Sequence, residues 1–333
     1  MTAIVFTLER DPYSRRMIEA LRARGIPTLG FDLADPSRNG LTLEVDGDRA
    51  TGTIRTPAGA VDLAEARAFV NHFLVVRPPP VAEHARRFAT EEWFSALVAL
   101  HQLTRDRLWV NPLDAYLLGE SKLFQLQVAA RAGLATPRSL VSNERAPIEA
   151  FAKAHPEGLA VKRVSHPFPR LGEGAAHEWV LYTHRVAPEE LRGEALAQAH
   201  LAPLAAQAYV EKATEVRAYV VGEAVLACEI LSQEDEQTRD DWRRFPRREG
   251  GGLDEARWRC RPYALPGAVA ARLRDATRAM GLRYAAADLI VTPQGEHVFL
   301  EANGMGAFGF AEDLAGLRVS EAFADLVAAS LGL

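Results

Sequence analysis

Lysine is nearly missing from this chain. Four residues, Lys122, Lys153, Lys162 and Lys212, stand against 35 arginines. Either they are surface lysines left by chance in an arginine-rich composition, or each marks a place where arginine does not serve. A compact ammonium on a flexible stem suits a tight phosphate site that a planar guanidinium does not fit. Cysteine is equally scarce. Cys228 and Cys260 are too few for a disulfide framework, so they read as ordinary half-buried residues and the expected compartment is a reducing cytoplasm. No apolar run approaches the roughly 18–20 residues needed to span a bilayer. The first apolar run, Ala3 to Leu8, meets Glu9, Arg10 and Asp11 at once, which is not the architecture of a signal peptide. The formal net charge is −5, which disfavours a polyanion binder and argues against nucleic acid as a partner. With 48% hydrophobic and 25% charged residues, the composition is that of a globular protein rather than a disordered or fibrous one.

At roughly 150 residues per domain, 333 residues suggest about two domains or one elaborated domain. The opening reads β-α-β. A strand over Ala3–Leu8 is followed by Asp11 as N-cap, Pro12 at the first helical position, apolar Met17, Ile18 and Leu21, Gly25 as a stop, and a strand near Thr28–Asp32. Residues 41–55 alternate around Asp46-Gly47, a hairpin signal. An extended segment from Phe73 to Arg77 ends on three prolines, and a helical pattern fills about 81–103. From Trp109 a second unit begins. It holds a helix at about 121–132, strands near 139–142, 159–164 and 178–183, a short helix after Pro147, a loop at 166–174, and a helix from Pro188. A third unit has strands near 206–210, 215–222 and 224–231, a helix over 266–280, a hairpin of 284–292 and 297–302, and one last helix at about 319–331. Residues 239–261 are odd in composition, with eight arginines against five acidic residues.

Several motifs fail. Gly304, Gly306 and Gly309 spell G-x-G-x-x-G, but a dinucleotide fingerprint needs a further strand after its helix, and the 24 residues after Gly309 read as one helix. P-loop, serine-hydrolase and zincin signatures are absent, and the nine histidines show no metal spacing. The closing hairpin, AAADLIVTPQGEHVFLEANG, survives. Side chains alternate along a strand, so Glu301 and Asn303 share a face, and antiparallel pairing can bring Asp288 beside them. Two carboxylates and an amide oxygen form a hard-oxygen cluster suited to Mg²⁺. Alternatively, Asp288 and Glu301 merely end half-exposed strands.

The order of Lys122 at a helix start, Lys162 in the strand AVKRV, Gln207-Ala208-Tyr209-Val210-Glu211-Lys212, Glu215-Val216-Arg217, then Asp288, Glu301 and Asn303 resembles the ATP-grasp fold. The phrases WVNPLDAYLLGESK, ARAGLATP, EVRAYVVG, DDWRR and DLIVTPQGEHVFLEANG are similar to those of the graspetide synthetases, the ATP-grasp peptide cyclases of the microviridin-maturation type. The likeness runs from about residue 70 to the end, VVRPPP (75–80) included. Asp-Trp-Arg (241–243) is its most discriminating piece. Ala208, where a glutamate is usual, and Gly304-Met305-Gly306-Ala307-Phe308, in place of a Gly-Gln-Trp wording, depart from the pattern.

The resemblance implies an α/β (α+β) chain: an N-terminal Rossmann-like pre-ATP-grasp domain over 1–108, a central α+β lid over 109–205, and a C-terminal antiparallel-sheet domain over 206–333 carrying the metal site. It implies that Lys122 and Lys162 contact the phosphates of ATP. Gln207, Ala208, Tyr209, Val210 and Lys212 form the adenine hinge and its flank, and Glu215 holds the ribose. Asp288, Glu301 and Asn303 bind two Mg²⁺, and Arg217 lies near the transferred phosphate. Arg243 orients a substrate carboxylate, while Asp241 orients Arg243 or receives a nucleophile proton. The implied activity is an ADP-forming carboxylate–amine or carboxylate–hydroxyl ligase acting through an acyl phosphate. Its expected partner is a precursor peptide with a leader and a core of Asp/Glu plus Thr/Ser/Lys, macrocyclised by side-chain esters or amides, with no membrane partner and a homodimer left open. The alternative is a ligase resembling the ribosomal-protein glutamate ligases, adding a free amino acid to a carboxylate.

Overall fold

The structure is a computed structural model and describes residues 1–8, 11–72, 74, 82–162, 164, 183–244 and 259–333. The expected PPP segment (75–80), the loop at 166–174, residues 178–182 of an expected strand, and most of the arginine-rich stretch lie outside the described residues.

The N-terminal third is built on a four-stranded parallel sheet. Its strands are β1 (Thr2–Thr7), β2 (Thr28–Asp32), β6 (Ala66–Asn71) and β7 (Leu108–Val110), in the order β2-β1-β6-β7. Helix α1 (Pro12–Ala23) begins as the sequence indicates, with the Asp11 carboxylate accepting the Ser14 N–H at 2.6 Å. The hairpin of β3 (Gly40–Asp46) and β4 (Arg49–Thr56) is extended by β5 (Gly59–Asp62) into a separate antiparallel sheet. The extended segment expected at Phe73–Arg77 lies, apart from residue 74, outside the described residues, and the third parallel strand is Ala66–Asn71. Its run Ala68-Phe69-Val70 is wholly buried, the pattern of a parallel strand covered on both faces. Phe69 stacks on Trp109 at 4.4 Å, tying β6 to β7. Helix α2 (Glu83–Leu103) covers this face.

After α3 (Leu113–Gly119) and α4 (Lys122–Arg131) comes a small antiparallel sheet in the order β10-β9-β11-β8. Its strands are β8 (Ser139–Ser142), β9 (Leu159–Lys162), β10 (His184–Val186) and β11 (Leu204–Ala208). Helix α5 (Arg145–Lys153) packs Ile148 and Ala152 against Leu159 and Ala206. In place of the helix expected from Pro188 there are three short 3-10 turns. Gly193, at φ 60°, interrupts the helical path.

The C-terminal sheet is antiparallel, ordered β14-β13-β12-β15-β16. It comprises β12 (Thr214–Val221), β13 (Ala224–Ile230), β14 (Cys260–Pro262), β15 (Tyr284–Val291) and β16 (His297–Asn303). Alternation assigns its two faces. Val216, Ala218, Leu289 and Phe299 pack under α4 and α6 (Gly267–Ala279). Tyr219, Tyr284 and Ala286 pack with α1, α7 (Gly309–Ala315) and α8 (Val319–Leu331). The chain thus ends in two helices, not the single one expected. The glycine triplet serves packing. A Cβ at Gly306 would lie 2.6 Å from the Arg217 guanidinium, and one at Gly309 would enter the Tyr13 ring.

The breaks expected at 108/109 and 205/206 both fall inside strands, β7 and β11. Strand β7 completes the N-terminal parallel sheet and β11 pairs with β8 and β9. Helix α4, expected in the lid, packs Leu126 and Ala129 into the core beneath the C-terminal sheet.

Candidate active site

The closing hairpin sets the site. In its register Asp288 lies opposite Glu301, and Ala286 opposite Asn303. A bulge between Asp288 and Leu289 lets Leu300 go unpaired. On the other side Asp288 is opposite Arg217 of β12. One face of three adjacent strands therefore presents Arg217, Asp288 and Glu301 in a row, as alternation anticipates.

Each carboxylate is matched by cations. Arg217 Nη1 donates to Asp288 Oδ1 at 2.8 Å, with both side chains less than a tenth exposed. Nothing among the described residues donates to Asp288 Oδ2. Lys122 Nζ donates to Glu301 Oε2, and Arg243 Nη1 donates to Glu301 Oε1 at 2.8 Å. Burial alone would raise the Glu301 pKa, but Lys122, Arg243 and Lys162 hold it well below the carboxylate range. Lys162, at the end of β9, makes no hydrogen bond or ion pair among the described residues. Burial pulls its ammonium pKa down, and nearby Glu301 opposes this.

These groups open on a cleft of about 620 Å³ between the lid sheet and the C-terminal sheet. All the expected site residues line it except Lys122, Arg217 and Asn303. Lys122 reaches the cleft rim through Glu301. Asn303 Oδ1 accepts the Met305 N–H at 2.8 Å. Arg217 does not face the cleft: it is 5% exposed, paired with Asp288, and lies 5.3 Å from the Trp242 ring. Arg217, expected near the transferred phosphate, is here the buried partner of Asp288.

The hinge segment follows β11. Tyr209 N donates to the Gly158 carbonyl at 3.0 Å, while the N–H groups of Val210, Glu211 and Lys212 find no acceptor among the described residues. Lys212 is 9% exposed and bridges Glu215 Oε1 at 3.1 Å and the Asp240 carbonyl at 3.1 Å. Glu215 Oε2 also accepts from Ser232 Oγ. Burial raises the Glu215 pKa against the pull of Lys212. Glu215, expected at a ribose, is thus already held on both oxygens.

The Asp-Trp-Arg segment joins two parts of the molecule. Asp241 accepts the Thr183 N–H at 2.9 Å from the lid, and the Arg243 backbone N–H and Nε at 3.0 and 2.9 Å. Burial would raise its pKa, but Arg243 and these donors bring it below the usual value. Trp242 packs on Phe310 with ring centroids 5.4 Å apart. Arg185 escaped the sequence reading. Its guanidinium lies 4.0 Å over the Tyr209 ring at the cleft, and one arginine among 35 carries no signal of such a place.

Among the described residues no cluster of three or more His, Cys, Asp or Glu side chains forms a metal site. The expected set holds only two carboxylates, with the Asn303 amide as third. Even so the donors fit a hard divalent cation. They are oxygens throughout, the two carboxylates are register partners, and Asp288 Oδ2 accepts from nothing among the described residues.

Neither a family model nor a curated protein matches the sequence. Solved structures match over almost the whole chain. The macrocyclase MdnC of Microcystis aeruginosa MRC, bound with precursor peptide MdnA, is 26% identical with a TM-score of 0.79, covering 98% of this chain and 99% of that one. A RiPP-associated ATP-grasp ligase of Chryseobacterium gregarium, in complex with ADP and a leader and core peptide, is 24% identical with a TM-score of 0.82, covering 99% and 97%. The ATP-grasp ligase PsnB, complexed with a phosphomimetic variant of minimal precursor, Mg and ADP, is 21% identical with a TM-score of 0.75, covering 99% of each chain. With four sheets among the described residues, a cleft between two of them and an acidic hairpin on its floor, this chain has the ATP-grasp fold and is similar over nearly its whole length to ATP-grasp ligases of the graspetide-synthetase type.

Proposed function

We propose that the chain uses ATP to activate a side-chain carboxylate of a ribosomal precursor peptide as an acyl phosphate, and joins it to a hydroxyl or amine of the same peptide. The observation that carries this reading is Arg243. Its side chain is 41% exposed on the cleft, and its guanidinium donates through Nε and Nη2 to Asp241 at 2.9 and 3.3 Å and through Nη1 to Glu301 at 2.8 Å. Each terminal nitrogen has a second N–H, and a fork fixed in this way suits a planar carboxylate. Asp241, ionised and saturated with donors, orients Arg243 rather than receiving a proton.

No enzyme nucleophile is needed, because phosphoryl transfer is mainly positioning and charge neutralisation. Lys162, without a hydrogen bond or ion pair among the described residues, would bind the phosphates, and Lys122 would join it at the Glu301 end. The N–H groups of Val210 and Glu211, which have no acceptor among the described residues, would offer donors to an adenine edge, beside Tyr209 and Ile290. Asp288 and Glu301, with Asn303, would hold two Mg²⁺. Mg²⁺ held there would supply positive charge against the phosphates. Lys212 and Glu215 brace the hinge, and Arg217 keeps Asp288 in register.

The test is mass spectrometry of a candidate precursor peptide incubated with the chain, ATP and Mg²⁺. Loss of about 18 Da, one water, per ADP formed is the expected result. A peptide of unchanged mass, or one that gains the mass of a free amino acid, overturns the cyclase reading, and the latter result identifies the amino-acid ligase.

A further inference from the structure

Among the described residues, strand β16 is the outer edge of the C-terminal sheet, so the backbone of Ala302, between Glu301 and Asn303, has no strand neighbour there on one side. Gln125 of α4 takes that place. Its Nε2 donates to the Ala302 carbonyl at 2.7 Å and to the Gly119 carbonyl at 2.6 Å, and its Oε1 accepts the Ala302 N–H at 2.9 Å. The side-chain amide thus copies the donor and acceptor of a paired strand residue. Gln125 is 2% exposed, and the same helix begins with Lys122, whose ammonium meets Glu301. Buried among Leu126, Val128 and Ala129, it is a polar residue on an apolar face whose bonds all go to backbone.

We infer that Gln125 is a positioning residue that fixes the β16 backbone and so sets the geometry of Glu301 and Asn303 for the divalent cation. Nothing touches substrate here: the residue acts through Ala302. The inference rests on the reading of Asp288, Glu301 and Asn303 as metal ligands. Residues that orient ligands from behind typically change metal affinity by about 10- to 100-fold when removed, and that is the expected scale.

The experiment measures ADP affinity of the full chain by calorimetry with and without Mg²⁺. Gln125→Met should leave metal-free ADP affinity within about twofold and cut the Mg²⁺-dependent gain by about 10-fold or more. Val128→Ala, which shortens a buried side chain on the same helix, should lower thermal stability without changing that gain, separating positioning from general loosening. If Gln125→Met does not fold, Gln125→Glu, which keeps the acceptor for Ala302 N–H and loses both donors, is read the same way. An unchanged Mg²⁺ gain in the Gln125 variant, alongside its loss in Glu301→Ala, overturns the inference. An unchanged gain in Glu301→Ala itself overturns the metal assignment on which it rests.

Discussion

Arg217 and Asp288 form a buried pair whose worth can be measured directly. Their side chains are 6% and 9% exposed and meet at 2.8 Å across paired strands. Burial would lower the Arg217 pKa, but Asp288 and its other surroundings raise it well above the ordinary value, so the guanidinium is charged at every accessible pH. Replacing it by methionine leaves a carboxylate without its cation, a loss of about 3–5 kcal/mol for buried pairs. Against this, Arg217 Nε has no acceptor among the described residues, and removing that donor recovers about 1 kcal/mol. Arg217→Met should therefore cost about 2–4 kcal/mol. Asp288→Asn should cost a similar amount, because it removes the charge facing Arg217. The double variant, with neither charge left, should cost little more than either single one. Urea unfolding of the three variants without ligand, followed by circular dichroism, gives the cycle. Additivity within about 0.5 kcal/mol would refute the claim that Arg217 serves Asp288.

Other consequences can be checked one at a time. Because Lys122, Arg243 and Lys162 hold the Glu301 pKa below its ordinary 4.5, its contribution to stability is present above that pH and lost as pH falls through the lower folded value; Glu301→Gln should flatten this acid limb of the unfolding free energy, and an unaltered limb contradicts the coupling. Lys162→Ala should raise the Kd for ATP about 10-fold with far-ultraviolet circular dichroism unchanged, so unaltered affinity would remove this lysine from the phosphate site. Gly306→Ala pushes a methyl group against Ala286 and to 2.6 Å from the Arg217 guanidinium, and thermal unfolding should report a loss of about 1–3 kcal/mol; a neutral result would mean the loop moves freely.

Where one face of an element is buried, the sequence was informative. The hairpin ending in Glu301-Ala-Asn303 read correctly because alternation on a half-buried strand leaves one choice of face, and Asp11-Pro12 marked the start of α1 by its cap. The same rules failed where tertiary pairing decides. Strand Ala66–Asn71 has no alternation because both its faces are covered. The boundary expected at 205/206 falls within β11, whose pairing with β8 and β9 no local pattern encodes. Arg217 shows the limit for site residues. Its place in the motif order was legible, but its pairing with Asp288 and its approach to the Trp242 ring follow from strand register, which no local pattern encodes. Gln125 gave no signal in the sequence, because its partner is a backbone more than a hundred residues away.

The account rests on Asp288 and Glu301 chelating the cation that clamps a triphosphate beside Lys162. The most direct measurement is a crystal structure with Mn²⁺ and a non-hydrolysable ATP analogue, with the metal located by its anomalous scattering. The expected result is Mn²⁺ within about 2.0–2.3 Å of carboxylate oxygens from both residues, with Lys122 displaced from Glu301 or shared with phosphate. Metal bound elsewhere, with Asp288 still paired only to Arg217, would contradict it.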